Sequence, residues 1–184
     1  MQNREVANKG RRKAIKLIGG LSALTILGAG ITISQLEPKY LSLDEVIIQL
    51  RSLQSSTIQS TGAWSADHIF NHCAQSIEMS MQGYPEHKSP LFKNSLGKRA
   101  FKVFGYQQHM THNLSEAIPG APAISSTSTK LALERLIVAL QRFEHYQDKL
   151  APHFAYGELS KDDYRLAHIL HINNHLEEIT IDVS

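Results

Sequence analysis

A single cysteine, Cys73, stands in a chain of 184 residues, so no intramolecular disulfide can form and the fold must rest on its core. At 42% hydrophobic residues the chain has enough apolar side chains for one sizeable domain. A basic surface is missing too, although the formal net charge is +2. Residues 1–36 hold Arg4, Lys9, Arg11, Arg12, Lys13 and Lys16 against Glu5, a balance of +5 that leaves −3 for the rest. That balance excludes a nucleic-acid partner. No glycine-rich phosphate loop, nucleophile elbow or dinucleotide fingerprint occurs. No glutamate stands directly after the first histidine of the last helix, so the zinc-protease pattern His-Glu-x-x-His is absent. The chain has no internal repeat and no low-complexity tract, and no stretch reads as a convincing strand.

What the N-terminus does have is a cationic start followed by an uncharged run from Leu17 to Leu36, rich in Leu, Ile, Ala and Gly. A positive segment before an apolar one reads as an export signal. Gly10 to Lys16 resembles a twin-arginine signal, with Arg11-Arg12 and Lys16 in place but Ala14 where a bulky aromatic is common. The apolar run is about long enough to span a bilayer at about 1.5 Å per residue, so residues 1–37 read as a cleaved leader or as a membrane anchor with its basic end inside. The expected location is the periplasm, or the inner membrane facing it. Residues 38–184 form the expected folded domain.

Ser42-Leu43-Asp44-Glu45 is a capping box ahead of Val46, Ile47, Leu50 and Leu53, which repeat at helical spacing. Ser65 caps a second helix whose apolar side is Ile69, Phe70, Cys73, Ile77 and Met81, ending at Gly83 and Pro85. Cys73 shares the side of Ala66, Phe70 and Ile77, which predicts a packed thiol rather than a ligand or nucleophile. Leu91, Phe92, Leu96, Ala100, Phe101, Val103 and Phe104 suggest one or two short helices. Ile118-Pro119-Gly120-Ala121-Pro122 must be a loop. A helix then runs from about Lys130 to Leu150 on a stripe of Leu133, Leu136, Ile137, Leu140 and Phe143. Ser160 caps the last one. Four long helices and a helical insertion between the second and third predict an all-α four-helix bundle. Met79, Met81, Met110, Phe101 and Phe104 read as its core.

The last helix carries His168, His171 and His175, which at about 100° per residue fall on one stripe. That stripe borders an aliphatic face of Ile169, Ile172, Leu176 and Ile179, with Asn173, Asn174 and Glu177 further round toward the polar side. His68 and His72 form a second pair four apart on another helix. Neutral imidazole suits Zn, Ni, Fe or Cu, and bundles build metal sites from facing helices. The same pattern also fits a polar seam with no ion.

Asn71-His72-Cys73-Ala74-Gln75, Ser95-Leu96-Gly97, Ile118 to Pro122, Gly157-Glu158-Leu159-Ser160 and the last three histidines together resemble a bacterial domain of unknown function in the DinB-like superfamily, over residues 42–180. The resemblance implies a metal-binding four-helix bundle with one histidine from the second helix and a His-x-x-x-His pair on the last. Its ligands would be His72, His171 and His175, holding a divalent transition metal such as Zn, Ni or Fe, with His68 and His168 around them. Asn174 departs from a frequent histidine and Tyr164 from a frequent tryptophan. Some relatives look like thiol-dependent transferases, which points to a small-molecule thiol or another small substrate. Three histidines would leave one coordination position open for thiol transfer or hydrolysis. A non-catalytic metal-binding or interaction module at the membrane, and a homodimer, are the other states that the sequence allows.

Overall fold

A computed structural model describes residues 31–32 and 42–182. The predicted leader, residues 1–37, lies outside the described residues except for Ile31 and Thr32, as does the boundary at Pro38. Four helices make the bundle: α1 (Leu43–Ser52), α2 (Ala66–Gln82), α5 (Thr129–His145) and α6 (Lys161–Leu176). Between α2 and α5 lies the expected insertion, in which α3 (Pro90–Phe92), a π-helical turn (Lys93–Gly97) and α4 (Lys98–Gln107) follow without a break.

Three of the four start signals work as their chemistry demands; Ser65 holds the N-cap position of α2, but its hydroxyl donates to Asp67 Oδ1 at 2.6 Å and caps no backbone amide. Ser42 and Glu45 close a reciprocal capping box, and Ser160 and Asp163 close another at α6. The Ser128 hydroxyl accepts from the Leu131 amide at the start of α5. α2 packs against α5 and α6, while α1 closes the other side against the same two helices. The shared core holds Leu50, Ile69, Phe70, Leu133, Leu136, Leu140, Phe143 and Ile172, all essentially solvent-free. Cys73 is buried among them as a free thiol. Met79, Met81, Met110 and Phe101 are buried as well.

Two half-buried ion pairs tie the helices. The Arg135 guanidinium forks onto Glu78 at 3.1 and 2.7 Å and donates to Asn71 Oδ1 at 2.9 Å, joining α5 to α2. Arg165 forks onto Glu144 at 2.9 and 2.8 Å, joining α6 to α5.

Three expectations need correction. A small antiparallel sheet is present, with β1 (Ile31–Thr32) and β2 (Thr57–Ser60) flanking β3 (Ile179–Asp182). Ile179 therefore does not extend the aliphatic face of α6. The run Ile179-Thr180-Ile181-Asp182 alternates in burial, so both isoleucines enter the core from a strand paired Ile58 to Ile181. α5 stops at His145 rather than near Leu150. Tyr146 turns extended there, its hydroxyl donating to the Met81 carbonyl at 3.1 Å, and Lys161 Nζ donates to the carbonyls of Glu144 and Tyr146 at 2.7 and 2.8 Å. In the insertion, Phe104 is half-buried rather than core, and Leu91, Leu96 and Val103 are exposed.

Candidate metal centre

His72 lies in the middle of α2, and His171 and His175 lie one helical turn apart on α6. Because α2 and α6 pack together, the three imidazoles meet. His72 Nε2 and His171 Nε2 are 3.2 Å apart. The ring of His175 stands 4.9 Å from that of His72 and 4.8 Å from that of His171, centroid to centroid. Trp64 closes one side, stacked nearly parallel to His175 at 6.0 Å and tilted against His72 at 4.9 Å.

A fourth histidine completes the group. His112, in the loop after α4, has its ring 5.1 Å from both His171 and His175. Ligand atoms of His72, His112, His171 and His175 all lie within 4.8 Å of one another, so these four side chains could hold a metal ion. The loop is fixed on both sides of His112. His109 Nε2 meets the Glu177 carboxylate at 3.0 Å and Met110 is buried. Asn113 Oδ1 then accepts from the Ser115 amide and hydroxyl at 3.1 and 2.9 Å, forming a turn.

The ring nitrogens are the most telling feature of the group. His72 Nδ1 and both nitrogens of His112 and His175 are buried with no hydrogen-bond partner among the described residues. A buried polar atom left unpaired costs roughly 1–3 kcal/mol, so five at one point need an explanation. Burial also favours the neutral rings, whose lone pairs bind metals. It lowers His72 to about 4 and His175 to about 2, and each is pushed further by the charge of neighbouring histidines. His171 falls well below its ordinary value for the same reasons. His112 is lowered by burial, against the opposing pull of the Glu116 charge. A metal–nitrogen bond of about 2.0–2.1 Å spaces tetrahedral ligands about 3.3 Å apart, and the 3.2 Å between His72 and His171 fits that edge.

His68 and His168 stand outside the cluster. His68 is half-buried against Trp64 at 4.4 Å. His168 is buried beside Ser80, Nε2 to Oγ 3.2 Å. The Ser80 hydroxyl already donates to the Ile77 carbonyl at 2.7 Å, so His168 Nε2 carries the proton and donates to it. Asn174 is buried, not on the polar side where periodicity put it.

A cavity of about 330 Å³ opens onto His72, His112 and His171. Phe92, Phe104, Met110, Ile118, Phe154 and Tyr156 give it largely apolar walls, and Lys88 and Glu116 bring charge. His153, in the same wall, accepts from the Ala155 and Tyr156 amides on Nδ1 at 3.1 and 3.2 Å. Two donors on Nδ1 place the ring proton on Nε2.

An all-α bundle with a four-histidine cluster, His72 and His175 buried and His112 and His171 half-buried beside a small pocket, is the class that fold and site define. A family model described as "Protein of unknown function (DUF1569)" matches residues 32–181, and the chain belongs to that family. No curated protein and no solved structure matches the chain.

Proposed function

We propose that this chain is an exported, DinB-like metal protein in which His72, His171 and His175, joined by His112, hold one divalent transition metal such as Zn, Ni or Fe. The observation that carries this reading is the convergence of four imidazoles, three of which, His72, His112 and His175, keep buried nitrogens without partners. The cavity beside them suits a small substrate, a low-molecular-weight thiol or another small molecule. A bound divalent ion would supply Lewis acidity toward a thiol or a water in that cavity. The protein's own residues would do the rest. The apolar walls exclude water, and His153 presents an Nε2 proton from a ring whose tautomer its backbone bonds fix.

A second reading rests on the number of histidines. Four imidazoles can close a tetrahedral shell, which is the habit of structural rather than catalytic sites, so a non-catalytic metal-binding module at the membrane is the competing function. His112 decides between them, because it alone comes from a loop and also lines the cavity.

Elemental analysis of protein purified without chelator or histidine tag tests the metal reading. About one equivalent in the parent and none in a His171→Ala/His175→Ala variant is the expected result. No metal in a folded, reconstituted parent would reduce the cluster to a polar seam.

A further inference from the structure

Between Glu86 and Glu116 the chain carries Lys88, Lys93, Lys98, Arg99 and Lys102 and no acidic residue. This local excess of five cations contrasts with the net negative charge of the chain after residue 36. The same segment exposes large apolar side chains: Leu91 by 80%, Leu96 by 61%, Val103 by 49% and Tyr106 by 91%. On α4 the two kinds of residue share one side. At about 100° per residue Lys98, Arg99, Lys102, Val103 and Tyr106 span about 140°, whereas Phe101 is buried and Ala100 and Phe104 face the cavity.

We propose that this face of the insertion, Pro90–Gln107, docks on an anionic lipid bilayer, its leucines, valine and tyrosine entering the interface while the cations meet lipid phosphates. The charge favours an anionic partner and the exposed hydrocarbon favours one with an apolar layer beneath its charge, which a bilayer offers and a nucleic-acid backbone does not. A two-fold pairing of this face with itself would set the cations against one another. The proposal is independent of any metal, and it would bring the helix that walls the cavity to the membrane surface.

The test uses the full chain, purified in detergent and reconstituted into vesicles of neutral phosphatidylcholine alone or with about one-third phosphatidylglycerol. An environment-sensitive fluorophore is attached to Tyr106→Cys, and in a second sample to Gln147→Cys outside the insertion; Cys73 is buried and stays unlabelled. Any N-terminal tether is common to both compositions, so the label reports docking of the insertion itself. The expected result is a blue-shifted emission at position 106 in the anionic vesicles only, reversed by salt and lost in a Lys98→Glu/Arg99→Glu/Lys102→Glu variant. No shift, or an equal shift at position 147, overturns the proposal. A shift in detergent that grows with protein concentration would assign the face to a second copy, and one induced by DNA but not by anionic lipid would assign it to nucleic acid; either overturns it as well.

Discussion

The Nε2 atoms of His72 and His171 lie 3.2 Å apart although the residues are 99 positions apart in sequence. Two unrelated helices thus present imidazoles to one point, and a neutral ring can satisfy only one such contact by donating to the other. The remaining buried nitrogens of His72, His112 and His175 are what the metal reading explains.

Removing His112 should separate the two readings. His112→Ala leaves three helix-borne histidines, so the protein should keep its metal with an affinity weakened roughly 10- to 100-fold, by analogy with the loss of a residue supporting a metal ligand. The visible spectrum of the cobalt-substituted variant should also change as a solvent molecule enters the shell. An unchanged spectrum and affinity would show that His112 is not a ligand.

Acid should weaken the chelator-treated fold. Burial lowers His153 and His168 to about 3, against about 6.5 for an unfolded imidazole. Between those values the unfolded chain binds more protons, so stability is full above about pH 6.5 and falls as pH drops toward 3. Each ring contributes a slope of up to about 1.4 kcal/mol per pH unit, and His72 and His175 act in the same sense. Urea midpoints at pH 7 and pH 5 check this, and equal midpoints would contradict it.

Gly97 holds the insertion against the loop at Ala155. A Cβ there would meet the Ala155 carbonyl oxygen, a backbone atom that cannot swing aside. Gly97→Ala should cost about 1–3 kcal/mol and distort the cavity wall, with metal content equal to that of the parent. A denaturation curve unchanged from the parent would show that the loop yields freely.

Cys73 should be inert. It is fully buried, and burial alone drives its thiol far above the usual range. A thiol reagent should modify the native protein only at the rate of unfolding and react at once in urea. Rapid native modification would place Cys73 at an accessible site.

How much was legible depended on whether a residue belonged to a periodic element. His72, His171 and His175 sit on α2 and α6, whose caps and apolar stripes are written locally, so the meeting of the two histidine-bearing helices could be anticipated. His112 could not, because a loop has no period and its approach depends on the His109–Glu177 contact and the turn at Asn113. Ile179 fits a helical stripe and a strand equally well, and only the pairing with Thr57–Ser60 decides. The apolar residues of the insertion gave short helices but not which would be covered; Phe101 is buried while Leu91, Leu96 and Val103 are exposed, a tertiary fact.

The most direct test of the central claim is X-ray absorption fine structure at the metal edge of the loaded full chain. The account predicts a first shell of three or four imidazole nitrogens at about 2.0–2.1 Å for zinc. A shell of oxygen ligands without imidazole scattering, or a protein that takes up no metal at all, would contradict it.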